Sequence, residues 1–158
     1  MESDWDDNMA SFLELILKHG VRMIMVGDEA VNFYGYKKSS SQVDFWIEAS
    51  SENFNKLLLV LKGMGSNLAN FPAEVFDRKK NISINFSNSN LNVELITNFV
   101  VGKSFSWAYE DSIESYLKDR PAVKWRVLSL EDLLISKAKS LKPQDILDVQ
   151  ELKKINGY

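Results

Sequence analysis

The chain has 158 residues, no cysteine, one histidine and a formal net charge of −3. The length suits one domain. No cysteine means no disulfide framework, no thiolate nucleophile and no Cys-based zinc or iron–sulfur site, and a single imidazole excludes a His-rich metal centre, so any metal must sit on oxygen ligands, as magnesium or manganese does.

A hydrophobic share of 45% and a charged share of 26% match an ordinary soluble domain. A pI of about 5.3 gives no basic field to favour nucleic acid. No apolar run reaches the ~18 residues of a membrane span. The acidic opening, Met1 to Ala10, lacks the basic stretch of a secretory signal. The expectation is a soluble, cytoplasmic protein.

Read in order, Ser3 or Asp4 is positioned to cap a first helix, with Phe12, Leu13, Ile16 and Leu17 at helical spacing and Gly20 at its stop. Arg22 to Val26 is an apolar run that reads as a buried strand ending at Gly27. Asp28 to Tyr34 reads as a short helix closed near Gly35. Gln42 to Glu48 has a strand pattern that mixes polar groups with large apolar ones. Ser50 or Ser51 caps a helix with Phe54, Leu57, Leu58 and Leu61 inside. Asn81 to Phe86 alternates with period two, Ser87 to Asn90 is a turn, and Asn92 to Ile96 returns. Further extended stretches lie at Ile113 to Leu117 and Ala122 to Leu128. A capping-box-like start at Ser129 opens a helix through Leu141, and Pro143 opens a last helix through Ile155. Helices interleave with strands, and a hairpin occurs too. The expected class is α+β with a short mixed sheet and flanking helices, one domain over residues 1–158, with a core of about 20–128 and C-terminal helices over 129–155.

The stretch from Val26 to Ile47 carries the chemistry. A buried strand stops at Gly27 and a helix begins there, which forms a candidate phosphate seat. Lys37 and Lys38 follow. Gln42 and Asp44 are two apart on a strand, so both point to one face. Glu94 sits on a later strand.

These residues resemble the minimal nucleotidyltransferases of the polymerase-beta superfamily, in the flavour of abortive-infection and toxin–antitoxin proteins. That family's pattern is an apolar strand, Gly-Gly or Gly-Ser, a helix ending in His-Gly-Tyr, then Arg, Thr, Asp-x-Asp and a third carboxylate. Here Gly27-Asp28 stands at the Gly-Gly/Gly-Ser position and Tyr34-Gly35-Tyr36 at His-Gly-Tyr. Lys38 stands at the Arg, Ser40 at the Thr, Gln42-Val43-Asp44 at Asp-x-Asp, and Glu94 at the third carboxylate. Gly102 to Phe105 matches a Gly-x-x-Phe element. Leu130 to Leu134, Lys137, Asp145 and Asp148 match the C-terminal helices. The resemblance runs from Gly20 to Leu152 and implies a palm-like nucleotidyltransferase fold closed by a C-terminal helical pair. It also implies catalytic positions at Gln42, Asp44 and Glu94, and metal ligation by Asp44 and Glu94. Nucleotide contacts fall on Gly27, Asp28, Lys38, Ser40 and Lys137. Magnesium or manganese with a nucleoside triphosphate is implied if the site is active.

Two departures point to a degenerate site. In the family, three carboxylates hold two divalent ions ~3.5–4 Å apart. Gln42 supplies a neutral amide where the first Asp belongs, which leaves −2 from Asp44 and Glu94 against two dications. Asp28 places a carboxylate where phosphate should approach, and two like charges ~4 Å apart repel by about 4 kcal/mol at an effective dielectric of 20. Lys38 also lacks the bidentate fork of an Arg. A rewired site of Asp28, Asp44 and Glu94 holding one ion is the competing arrangement.

Plainer readings stand beside these. Asp28 fits a helix N-cap, the favoured reading for that residue. Lys37 and Lys38 fit a solvated loop. Lys137, Lys139, Asp145 and Asp148 fit the wet faces of two helices. His19 fits a helix C-terminus, and Trp46 fits a place under the C-terminal helices. Asp44, among apolar neighbours, needs a cation, a donor or solvent. The leading expectation is a nucleotidyltransferase-like module with an impaired site, regulatory or related to toxin–antitoxin pairs and bound to a neighbouring protein. The alternatives are an active metal-dependent nucleotidyltransferase and a non-catalytic interaction domain.

Overall fold

The computed structural model describes residues 2–3, 5–86 and 91–158. The turn expected at Ser87 to Asn90 lies outside them. The elements run β1 (Glu2–Ser3), α1 (Asp7–His19), β2 (Met23–Val26), α2 (Gly27–Phe33), β3 (Gln42–Ile47), α3 (Ser51–Gly63), α4 (Ala73–Phe76), β4 (Ile82–Asn85), β5 (Asn92–Ile96), α5 (Phe105–Asp111), β6 (Ile113–Leu117), β7 (Lys124–Val127), α6 (Leu130–Ser140) and α7 (Pro143–Ile155). The fold is α+β, as the mixture of hairpin and helical patterns predicts.

The strands form one sheet in the order β1-β6-β7-β2-β3-β5-β4. It is mixed: β2 runs antiparallel to β3 and parallel to β7, and β3 runs parallel to β5. All four residues of β2 are buried, as expected of a central strand covered on both faces. On β4, Ile82 and Ile84 face in while Ser83 and Asn85 face out, the period-two pattern of its sequence. Helices α1 and α3 pack together, and so do α6 and α7. Met9, Phe12, Leu13 and Ile16 of α1 meet the same core as Phe45, Phe54 and Leu95.

Capping explains most helix starts. Ser50 accepts the Asn53 N–H at 3.2 Å, Ser104 accepts that of Trp107 at 3.2 Å, and Ser129 that of Asp132 at 3.2 Å. The cap of α1 is Asp6, whose Oδ1 accepts the Met9 N–H at 3.0 Å, rather than Ser3 or Asp4. Ser3 belongs to β1 instead. Gly20, at φ +69°, closes α1 in the left-handed region.

Trp46 is buried in an aromatic cluster. Its ring packs on Phe99 at 5.3 Å and edge-on to Phe105 at 5.1 Å, which joins β3 to α5. These ring contacts come from the chain that follows β5, and Phe99 in turn lines a cleft that Leu133 and Lys137 of α6 wall.

Candidate functional site

The ends of β2, β3 and β5 meet one another and the start of α2. Val26 pairs with Asp44 across β2 and β3, and Asp44 pairs with Glu94 across β3 and β5. Gln42 lies two residues from Asp44 on the same face of β3, and its Nε2 donates to Asp44 Oδ1 at 2.7 Å. Glu94 accepts from Ser83 Oγ at 2.6 Å. Since β5 is an inner strand between β3 and β4, Glu94 is not on a sheet edge. Gln42, Asp44 and Glu94 are therefore brought together, the first two by their spacing on β3 and Glu94 by the pairing of β3 with β5.

Gly27 is where β2 turns into α2. It has φ +69°, and a Cβ there would stand 2.6 Å from Asp44 Oδ2. Only glycine serves both demands. Gly27→Ala is expected to destabilise the fold by about 1–2 kcal/mol from the left-handed backbone alone, before Asp44 is displaced. A urea titration measures it.

Asp44 is half-buried, and its carboxyl is held above the ordinary carboxylate range. Burial is the main cause. Repulsion from Glu94 and Asp28 adds to it, while the Gln42 hydrogen bond and Lys137 oppose it. A raised carboxyl binds its proton more tightly in the folded chain. Stability therefore falls as pH rises from the unfolded value of ~3.9 through the folded one. Asp44→Asn keeps an acceptor for Gln42 and removes the charge. At pH 7 it is expected to stabilise the fold, with the gain vanishing below the unfolded carboxyl value of ~3.9. Denaturation at pH 7 and below that value tests this.

Asp28 is not an N-cap. The cap position of α2 is Val26, with no side-chain hydrogen bond, and Asp28 is the second residue of the helix. Its carboxylate instead pairs with Lys38 at 3.0 Å. Lys38 is not a solvated loop residue either. Its side chain is only 14% exposed, and its Nζ also lies 2.9 Å from Asp148 Oδ2. The backbone of Lys38 is clasped by Asn32, whose Oδ1 accepts the Lys38 N–H and whose Nδ2 donates to the Lys38 carbonyl at 3.0 Å. Lys37 is exposed.

Asp148 of α7 is 0% exposed, so the reading of wet helix faces fails there. Lys137 of α6, 11% exposed, pairs with Asp148 at 2.9 Å and with Asp145 at 3.1 Å. Gln144 adds a donor to Asp148 at 2.9 Å, and Ser140 donates to Asp145. Burial alone would raise the Asp148 pKa. The two lysines and Gln144 outweigh it and hold the carboxyl below the usual range. The chain Asp28–Lys38–Asp148–Lys137–Asp145 carries three negative and two positive charges.

Two further positions serve the backbone. Ser40 Oγ donates to the Gln42 carbonyl at 2.8 Å and accepts its N–H at 3.2 Å, which fixes the start of β3. Tyr34 donates to the Leu128 carbonyl at 2.6 Å, and burial pushes its phenol pKa up. Asn32 escaped the sequence reading. Its signal was a lone amide within the apolar run Ala30, Val31 and Phe33.

A cleft of about 450 Å³ opens beside Gly27, walled by Phe99 and Val100 on one side and by Leu133, Lys137 and Asp145 on the other. The C-terminal helices thus close one side of it. Among the described residues, no three carboxylate or imidazole groups come close enough to hold a metal ion. Asp44 and Glu94 are two acidic donors, and the amide N–H of Gln42 already occupies one Asp44 oxygen. This donor set does not fit a pair of divalent ions. Among the described residues no helix is long and apolar enough to cross a membrane.

Compared with known proteins, the chain matches no family model and no curated protein.

Proposed function

We propose that the chain is a nucleotidyltransferase-like domain whose metal and nucleotide site is impaired, acting in the cytoplasm as a regulatory or partner-binding module related to toxin–antitoxin pairs. The observation that carries this reading is the hydrogen bond from Gln42 Nε2 to Asp44 Oδ1 at 2.7 Å. Where the resemblance requires a carboxylate that shares two metal ions, this residue presents an N–H donor, which repels a cation. An amide facing a carboxylate must point its nitrogen, since oxygen against oxygen is repulsive.

The lysines support the same reading. Lys38 and Lys137 stand at positions that would meet phosphates, yet each is held between two aspartates. A triphosphate would have to displace Asp28, Asp145 or Asp148 and then face Asp44 and Glu94. Those carboxylates make the site electronegative, and the ion that would offset them lacks its ligand.

The test is incubation with labelled nucleoside triphosphates and magnesium or manganese, with and without a protein encoded beside this one. The expected result is no label transfer and no metal-dependent change in melting temperature. Robust transfer, lost in Asp44→Asn, would overturn the reading in favour of an active nucleotidyltransferase built on Asp28, Asp44 and Glu94.

A further inference from the structure

The far end of the sheet from β1 holds a different feature. Strand β4 is an edge strand, paired only with β5. Its ladder with β5 runs unbroken from Ile82 opposite Leu95 to Asn85 opposite Asn92, with no bulge. Among the described residues, no turn or loop backbone bond reaches Ile82 to Asn85 from outside that ladder. Proteins usually blunt such an edge with proline, a bulge, an inward charge or a covering segment. Here the strand has none of the first three.

Nor does any described residue pair with the outer side of that edge. A groove of about 530 Å³ runs along it, with residues 80–85 forming one wall over their whole length. The opposite wall is apolar, made by Leu68, Phe71, Pro72 and Val75. Leu68 is 47% exposed there, an apolar side chain held over an open strand. Four residues of added strand would span about 14 Å, which matches β4 in length. Alternate side chains of such a strand would meet the apolar wall, and the others would face water.

Charge narrows the occupant. The chain is acidic as a whole, yet Arg78-Lys79-Lys80, its only run of three basic residues, leads into β4. Lys80 is the one charged residue of the groove wall. The run is held in place by its backbone: the N–H groups of Lys79 and Lys80 both donate to the Glu74 carbonyl, at 2.8 and 3.2 Å. No ion pair to Arg78, Lys79 or Lys80 is formed among the described residues. A second copy of this acidic chain would bring its own basic run to the same edge. A segment with alternating apolar residues and a carboxylate near Lys80 is complementary in both shape and charge.

We propose that the free edge of β4 and the apolar wall facing it form a docking groove for an extended acidic peptide of another protein, which joins the sheet as a further strand. The site lies at the β4 edge, and Ser83, which donates to Glu94, is its link to the Asp44 cluster.

The test is selection from a displayed library of random peptides about twelve residues long, followed by hydrogen exchange on the complex. The full chain is the bait and its Leu68→Glu variant the counter-bait. Leu68 is half-exposed, so that change leaves the core intact. The expected peptides alternate apolar residues and carry Asp or Glu. They slow exchange of those β4 amides that β5 does not already protect. Leu68→Glu should weaken the best of them at least about tenfold, and Lys80→Glu should reverse the preference for acidic residues. Enrichment equal on bait and counter-bait, or protection away from β4, would overturn the proposal. So would concentration-dependent β4 protection without peptide that Leu68→Glu abolishes, because the occupant would then be a second copy.

Discussion

Gln42→Asp is expected to turn a chain that ignores manganese into one that binds it. The substitution places a third carboxylate on the face of β3 that already carries Asp44, beside Glu94 of β5. Without metal the change should destabilise the fold by roughly 1–2 kcal/mol, from loss of the Gln42 donor and added like-charge repulsion at a partly solvated site. With manganese at about 100 times its dissociation constant, linkage should return about 2.7 kcal/mol. The measurement is a melting temperature for the wild type and Gln42→Asp across a manganese titration. The wild type should stay flat while the variant rises. A wild-type response as large as the variant's would mean that the Gln42 amide does not disable the site. A flat variant would mean that the positions of Asp44 and Glu94, rather than the residue at 42, prevent metal binding.

The second large effect is expected at Asp148. This carboxylate has no exposure and receives both Lys38 and Lys137. Removing one partner of a buried pair usually destabilises by about 3–5 kcal/mol. Each lysine here keeps a second aspartate, so Asp148→Asn should destabilise by roughly 2–3 kcal/mol, and a urea titration at neutral pH reads it. The pH dependence has a definite sign. Asp148 and Asp145 both have carboxyls lowered by the fold, so each binds fewer protons folded than unfolded. Their contribution is complete above the unfolded value of ~3.9 and is lost as pH falls through the lower folded values. Asp148→Asn should accordingly shrink the acid-induced loss of stability. This is opposite in sign to the contribution of Asp44, so the two variants should bend the pH profile in opposite directions.

The local parts of the fold were legible because they rest on short-range rules. Alternation in Ile82 to Asn85, the Ser50 and Ser129 caps, and Pro143 at the first turn of α7 each specify an element from neighbours alone. The two-residue spacing of Gln42 and Asp44 likewise placed both on one face of β3. Helix α4, of four residues, went unread because it is too short to show a helical period, and α5, of seven, lacks the glycine punctuation at both ends that marked α2. The ion pairs were illegible for another reason. Asp28 looked like a cap and Asp148 like a solvated helix residue because their partner, Lys38, is set by how α7 returns to the loop after α2. That return is a matter of sheet order, which no local pattern encodes. The same holds for Trp46, whose neighbours Phe99 and Phe105 follow from the chain's path after β5.

The separation of these partners along the chain also sets an order in time. Lys38 and Asp148 are 110 residues apart, Tyr34 and Leu128 are 94 apart, and Asn156 reaches back 122 residues to the Tyr34 carbonyl. At roughly 5–20 residues per second, a ribosome delivers Asp148 some 5–20 s after Lys38. Until then Asp28, ten residues before Lys38, is the one carboxylate of the two available to Lys38, and docking of α7 is the step that completes the cluster.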